Sequence, residues 1–258
     1  MPIPEPAVQF ALVLIRITTF FVVSPVFNRR NIPSTTTIGF SALLALIVLP
    51  NLNPSRLPVL SVGTLLVLTL HEVAVGLLLG LLVLIAFGIL QFAGQLTDVP
   101  IGFGMASVFD PATGMQMPVF SQFYYILAVL LFFAIDGHLW LVQALTESYA
   151  TIPLLGFIDV EITFNTVMSL AQELFHIGMK ISLPVIASIL LVDIGLGIVV
   201  RAVPQINVFV IGFPIKIFVG MLIIALAVPA YVAGVSRIFA YDGLLMTYLR
   251  TILQAGGG

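Results

Sequence analysis

The 258-residue chain contains no cysteine, and only 8% of its residues are charged. Without cysteine, the chain forms no disulfide and offers no thiolate to a metal ion. Soluble domains carry roughly 25% charged residues, so this low charge content excludes an ordinary water-facing globule. A net charge of −2 is too small to indicate a nucleic-acid partner. Because 60% of the residues are hydrophobic, the composition is that of an integral membrane protein.

The sequence motifs of common enzymes are also missing. The histidines are far apart, and His71-Glu72 is not followed by a second histidine at the spacing of zinc hydrolases. There is no glycine-rich phosphate loop ending in Gly-Lys-Ser/Thr and no Gly-x-Ser-x-Gly elbow. We therefore predict no catalytic site, no cofactor and no metal site. The first apolar run has no basic region before it, so we expect it to be a retained helix and not a cleaved secretory signal.

Long apolar runs separated by proline, glycine, asparagine and charged residues define the expected secondary structure. Within lipid only helices satisfy their own backbone at these lengths, so the chain is predicted to be all-α. A bilayer needs about 20 apolar residues per helix, and the runs fit this length badly. The predicted segments are 7–27, 36–49, 57–96, 119–145, 166–200, 207–234 and 238–253.

Polar and charged side chains interrupt these apolar runs. A charge at the centre of a bilayer is costly, so such groups normally face protein or water and find partners. They either line a pathway for ions or substrates, or form buried contacts that orient helices within an assembly. The candidates for buried polar contacts or subunit packing are Arg16, Glu72, Asp136, His138, Asp193, Arg201, Gln205, Asn207 and Lys216.

Two proline-containing stretches lie between apolar runs. RAVPQINVFVIGFPIK (201–216) is predicted to be a bent or re-entrant connection, because proline removes a backbone donor and disfavours helix at the preceding residue. FDPATGMQMP (109–118) is the second stretch. In it, Asp110 is expected to begin a turn with Pro111 and not to carry protons. Glycines in GLLLGLL (76–82) and DIGLGIV (193–199) either allow helices to approach closely or are simply common in membrane helices.

The order of four segments resembles a known family. They are SPVFNRRNIPSTTTIGFSALLAL (24–46), HEVAVGLLLGLL (71–82), the long stretch at 92–145 with FDPATGMQMP and DGHLW, and SLPVIASILLVDIGLGIVVRAVPQINVFVIGFPIKIFVG (182–220). Over about residues 8–250 the chain resembles the FliR family of flagellar export proteins, whose counterparts serve injectisomes. The complete central loop and the Gly-His pair of DGHLW are more similar to the flagellar members.

The resemblance implies a non-enzymatic component of the flagellar type III export gate, at the centre of the basal body in the bacterial inner membrane. Such proteins form bent helical hairpins and assemble with FliP-like and FliQ-like subunits into a conical complex. That complex is the entry pore for unfolded flagellar subunits, and FlhB-like and FlhA-like proteins and membrane lipid are further expected contacts. The chain would be a single FliR-like domain, FliP-like over about 1–160 and FliQ-like over about 161–258.

The same resemblance implies that the central loop, at about 105–122, plugs the pore. Methionine is unbranched and adapts to irregular surfaces, while glycine and proline allow a hinge without unwinding a helix. The loop has no lysine or arginine to retain charged parts of a passing chain. The implied plug residues are Met105, Phe109, Asp110, Pro111, Gly114, Met115, Gln116, Met117 and Pro118.

Other interpretations of the sequence lead to different functions. An injectisome subunit of the same family would have the same general plan. A small secondary transporter would place Glu72, Asp193 and Lys216 around a midplane site, although the two halves of the sequence do not match as inverted repeats would. Without the resemblance, the central loop would be a plain turn between helices.

Overall fold

A computed structural model of the chain describes residues 5–27, 33–51, 61–103, 118–154, 156, 159–205 and 207–255. These residues contain helices and short connections but no β-strand, and the predicted all-α class is confirmed. The helices are α1 (Glu5–Val23), α2 (Ser34–Val48), α3 (Val62–Ile101), α4 (Val119–Ala134), α5 (Gly137–Thr151), α6 (Val160–Ala202), α7 (Val208–Phe239) and α8 (Leu244–Ala255). A short 3-10 helix, Leu49–Asn51, follows α2.

Within the described residues, four helical stretches are long and apolar enough to cross a membrane. They are Glu5–Val23, Val62–Ile101, Val160–Ala202 and Phe209–Gln254, and α4 with α5 forms a fifth, broken candidate. The 40 residues of α3 exceed the roughly 20 that one crossing requires. The chain is therefore an all-α membrane protein, and α3 is about twice as long as one straight crossing of a bilayer requires.

Several helices begin at a polar side chain that accepts a backbone N–H of the first turn. Ser61 Oγ accepts the amide of Thr64 at 3.1 Å, and Asp159 Oδ1 accepts the amide of Ile162 at 3.0 Å. Asn207 Oδ1 accepts the amide of Phe209 at 3.0 Å. The first N–H groups of a helix lack partners within the helix, so these side chains define the starts of α3, α6 and α7.

The apolar run at 119–145 is two helices and not one segment. Asp136, between α4 and α5, has a left-handed backbone with φ of 58°. Aspartate tolerates this conformation better than most residues. The carbonyl of Asp136 then accepts the amide of Leu139 at 2.9 Å and starts α5. Hydropathy does not reveal this break because apolar residues continue on both sides of the Asp136-Gly137 pair.

The connection at 201–216 is shorter than the proline pattern predicted. Helix α6 ends at Ala202, and α7 begins at Val208 and continues through Pro214. The side chain of Asn207 starts α7 before Pro214 is reached, so that proline lies within the helix. The non-helical part is therefore limited to the residues around Pro204 and Gln205.

The chain forms two compact units. The first unit comprises residues 1–86, 136–171 and 239–258. Its core includes apolar side chains of α1, α3 and α5 and one face of α8, where buried residues recur at helical spacing. The buried residues of α8 are Leu245, Met246, Leu249, Ile252 and Leu253. Trp140 of α5 packs against Tyr241, with ring centroids 4.6 Å apart, beside the start of α8.

The second unit comprises residues 87–135 and 172–238. Its core includes Phe87 and Phe132, whose rings meet edge to face with centroids 5.4 Å apart. Tyr231 of α7 stacks against Tyr124 of α4 at 4.7 Å, and its hydroxyl donates to the Tyr124 carbonyl at 2.5 Å. A buried hydroxyl would be destabilising without such an acceptor, so this bond helps fix α7 against α4.

Glycines at 76 and 80 let α3 approach α1 closely. A Cβ built on Gly76 would lie 2.6 Å from the carbonyl oxygen of Arg16, and one on Gly80 would lie 2.8 Å from the Val23 Cβ. Both distances are shorter than atoms at Cβ positions normally tolerate. The first unit therefore depends on small residues at this helix crossing, as in other membrane helix pairs.

We predict that Gly76→Ala destabilises the protein by about 1–3 kcal/mol, because a methyl group would overlap backbone that cannot move aside alone. Gly88→Ala in the same helix is the matched control, since no described atom lies within 4 Å of its Cβ position. Its higher helix propensity should leave stability unchanged or raise it by about 1 kcal/mol. Denaturant midpoints of the two purified variants in detergent would measure this, and equal midpoints would contradict the close approach.

Candidate functional site

Arg16 is completely buried in the first unit, in the middle of the apolar helix α1. Its Nε donates to Glu72 Oε2 at 2.7 Å and its Nη2 donates to Glu72 Oε1 at 2.9 Å, a two-bond pairing across helices α1 and α3. Nη2 also donates to the Ile152 carbonyl at 3.0 Å. Nη1 donates to the Ser148 carbonyl and to Ser148 Oγ, both at 3.2 Å. The five N–H groups of the guanidinium thus have five acceptors.

Aromatic and imidazole groups complete the surroundings of this pair. The Arg16 guanidinium lies over the ring of Tyr149, 4.2 Å from its centroid, where the ring face attracts a cation. The Tyr149 hydroxyl donates to the Val13 carbonyl at 3.0 Å. His71 Nδ1 lies 3.4 Å from Glu72 Oε1. We call Arg16, Glu72, Ser148, Tyr149 and the Ile152 carbonyl the Arg16 network.

The Arg16 network joins three helices through a neutral pair of opposite charges. A buried ion pair balances its desolvation only when the geometry is good and the remaining donors and acceptors are satisfied, and here they are. Glu72 already has both carboxylate oxygens bound to Arg16. Its contacts are therefore those of a structural ion pair and not of a group held ready for a solute.

Asp193 and Lys216 form a second ion pair, in the second unit. Asp193 lies in α6 and Lys216 in α7, and both are partly accessible. They line a cavity of about 600 Å³ together with Val99, Gly102, Arg201 and Phe213. The cavity is therefore mostly apolar with three charged groups on its wall.

The remaining predicted polar residues lie at helix ends. Asp136 is exposed and precedes α5, and His138 is half-buried in the first turn of that helix. Arg201 is exposed in the last turn of α6, where a cation interacts favourably with the helix dipole. Gln205 is exposed in the following connection, and Asn207 caps α7. The structure thus places these residues at or beside helix ends, and their contact with another subunit stays a prediction.

Most of the predicted plug lies outside the described residues. This applies to Met105, Phe109, Asp110, Pro111, Gly114, Met115, Gln116 and Met117. Pro118 is described: its backbone is extended, it lies directly before α4, and its carbonyl accepts the Gln122 amide at 3.2 Å. The two flanks of the plug segment are the end of α3 and the start of α4.

Asp98 connects these two flanks and was not among the residues proposed from the sequence. It lies in the last turns of α3 and is 4% exposed. Its Oδ1 accepts the amide of Phe120 at 2.9 Å, and its Oδ2 accepts the amide of Ser121 at 3.1 Å. The sequence does contain a signal, since Asp98 is a lone carboxylate at the end of the long apolar run that becomes α3. Its partners are 22 and 23 residues away and could not be identified from spacing.

Metal binding would require several ligating side chains in one place. Among the described residues, no group of three or more His, Asp or Glu side chains lies close enough to hold an ion. The polar side chains of the described residues are instead engaged mainly in ion pairs, in helix capping and in bonds to backbone carbonyls.

We predict that Arg16→Ala destabilises the protein by about 3–5 kcal/mol, because it leaves the Glu72 carboxylate buried without its partner. The yield of folded protein in detergent and its denaturation midpoint would measure this loss. Arg237→Ala is the matched control: Arg237 pairs with Glu173 at 3.6 Å, and both side chains are partly exposed. Removing such a pair should change stability by about 0–1 kcal/mol.

A double variant separates the ion pair from simple packing. Arg16→Met combined with Glu72→Leu removes both charges and should be less damaging than Arg16→Ala, since no buried charge is left alone. If the double variant were at least as unstable as the single one, the main contribution of Arg16 would be to packing and not to charge pairing.

Comparison with known proteins identifies the family. The model of the family described as "Bacterial export proteins, family 1" matches residues 7–241. The flagellar biosynthetic protein FliR of Bacillus subtilis strain 168 is 35% identical over 253 residues, covering 96% of this chain and 95% of the relative. FliR of Pectobacterium carotovorum is 34% identical, covering 86% and 84%, and FliR of Escherichia coli K12 is 29% identical, covering 88% and 87%. The chain belongs to family 1 of the bacterial export proteins, the family of FliR.

Proposed function

We propose that this chain, a membrane component of the flagellar type III export apparatus, forms the entry pore for unfolded flagellar subunits together with FliP-like and FliQ-like proteins. The pore lies in the inner membrane at the centre of the flagellar basal body. The chain acts without catalysing a reaction, and FlhB-like and FlhA-like proteins are its neighbours. Residues of about 1–160 provide a FliP-like part and about 161–258 a FliQ-like part.

The observation that carries this proposal is the likeness to flagellar FliR proteins along nearly the whole chain. The Bacillus subtilis relative aligns over 96% of the chain, so the likeness is not confined to a few membrane helices that unrelated proteins could share. Each of the three relatives compared above is a flagellar protein by name. This favours a flagellar system over an injectisome.

Exposed apolar helix faces support assembly with other subunits. In α6, a face that includes Leu191, Ile194 and Ile198 is exposed in the isolated chain. No described atom lies within 4 Å of the Cβ positions of Gly195 and Gly197 on the same stretch. Small residues beside exposed apolar ones allow another helix to approach closely within a membrane.

The pairing of the charged side chains within the helices supports an export component over an ion-coupled transporter. A midplane transport site needs charged groups that can release one partner and bind a solute. Glu72 is fully buried and holds Arg16 with both oxygens, and Asp193 is paired with Lys216. These carboxylates have structural partners within the described part of the chain.

The central loop is proposed to be the plug that seals the pore between export events. Its chemistry suits an elastic seal: Met115 and Met117 are flexible and apolar, and Gly114 and Pro118 restrict helix formation around them. No lysine or arginine lies in this segment to hold a passing chain by charge. The flanks of the segment are joined through Asp98, which keeps its two ends together.

Assembly tests the proposal directly. We expect the chain to form one large complex when it is expressed with its cognate FliP-like and FliQ-like proteins in mild detergent and measured by native mass spectrometry. Expressed alone, it should be recovered in lower yield and should self-associate, because its exposed apolar faces lack partners. A well-behaved monomer that ignores both partners would contradict the proposal, and ion-coupled uptake would then be the next activity to measure.

The plug has its own test. Deleting residues 110–117 while keeping Pro118, which starts α4, should leave the complex assembled but let ions leak across the membrane. Leak is measured as dissipation of a potassium gradient in vesicles containing the purified complex. Replacing the same residues with a glycine-serine segment of equal length is the control for the lost length. Tight vesicles and normal export after the deletion would show that the segment is an ordinary turn.

A further inference from the structure

Helix α4 begins in a different way from α3, α6 and α7. Ser61, Asp159 and Asn207 each accept a first-turn amide of the helix that follows them directly in the chain. Helix α4 is preceded by Pro118, which has no side-chain acceptor. Its first-turn amides, from Phe120 and Ser121, are instead satisfied by Asp98 on another helix.

The same two helix ends are joined by two more contacts. Phe103, two residues after the end of α3, meets Phe120 edge to face, with ring centroids 5.6 Å apart. A Cβ on Gly94 would lie 2.4 Å from the Ser121 Cα, so the backbones of α3 and α4 touch at this point. We call Gly94, Asp98, Phe103, Phe120 and Ser121 the neck.

From this geometry we infer that Asp98 is the positioning residue that holds the neck closed, and that it thereby fixes both ends of the segment at 104–117. This inference rests on the proposed plug function, because it explains how the plug would be held at its base.

A carboxylate suits this position for two physical reasons. Each of its two oxygens accepts one amide, so the carboxylate makes a two-bond contact through two separate acceptor atoms, whereas asparagine has one acceptor oxygen. The start of a helix carries a partial positive charge, which favours an anion placed against it. An amide of the same shape would present an NH₂ group to one of the two backbone N–H donors and lose that bond.

Hydrogen exchange of the unmodified complex gives the first test. First-turn amides of a helix normally exchange quickly because they lack partners within the helix. The inference requires the amides of Phe120 and Ser121 to be protected, whereas those of Val160 and Glu161, in the first turn of α6, exchange rapidly. Equal exchange rates at the two helix starts would overturn it without any substitution.

A thiol reporter gives the second test, since the chain has no cysteine of its own. Ser121 is fully buried, and its Oγ has no hydrogen-bond partner among the described residues, so Ser121→Cys should be tolerated. In the assembled complex, adding Asp98→Asn should raise the rate of maleimide labelling by about tenfold, as expected when a charged hydrogen bond stops opposing local opening. Unchanged labelling would overturn the inference.

Asp159→Asn is the matched control because it makes the same change at a helix start. Asp159 caps its own helix from an exposed position, and asparagine is an equally good cap there. It should change neither labelling nor leak. If Asp159→Asn raised labelling or leak as much as Asp98→Asn, the effect would not be specific to the neck.

Ion leak connects the neck to the plug. With residues 104–117 intact, Asp98→Asn should make vesicles leak to an extent approaching that of the 110–117 deletion. Raised labelling with tight vesicles, in a complex where the deletion leaks, would overturn the link between the neck and the seal. If the deletion itself leaves the vesicles tight, the proposed plug fails, while exchange and labelling still decide whether Asp98 holds the neck.

Discussion

The stability of the first unit depends on the pairing of one buried charge, the guanidinium of Arg16. Arg16 is enclosed by apolar helices, and its stability there requires Glu72 on α3 and acceptors from the Ser148–Ile152 region. Glu72, Gly76 and Gly80 are four residues apart, so they lie along one face of α3. The carboxylate binds the guanidinium, and the glycines let the backbones approach closely enough for that bond. The ion pair between Arg16 and Glu72 and the close approach of α1 and α3 therefore depend on each other.

The general architecture could be predicted because it follows from short-range rules. Apolar runs gave the helices, and residues such as Asn207 mark where they begin, since capping is decided within one turn. Asp136 shows where such rules fail. Its left-handed backbone breaks an apolar run that is uniform in hydropathy, and hydropathy carries no information about the backbone conformation of a single residue.

The polar sites were harder to predict because their partners are distant in sequence. Arg16 and Glu72 each stand out as a charge within an apolar run, but their separation of 56 residues follows no helical period, so the sequence does not pair them. Asp98 was missed for the same reason. The two glycine patterns are equally informative: Gly76 packs against α1, whereas Gly195 faces open space in the isolated chain. A pair of glycines in an apolar helix can thus mark a contact within the chain or a helix face that is open to another molecule. Only the fold distinguishes these two cases.

The neck also limits how far the proposed plug can reach. Residues 104–117 span at most about 3.3–3.6 Å each when extended, so the whole segment is shorter than roughly 50 Å. If both ends are held at the neck as proposed, the tip of the segment can reach no farther than about half that distance from the neck, because the chain must run out and return. A segment held at both ends in this way could be displaced by a passing polypeptide and then return. Because its ends are already close together, it would lose less conformational entropy on returning than a segment with one free end. Releasing one end would extend the reach and remove this limit, so the proposed seal would depend as much on how its ends are held as on the methionines between them.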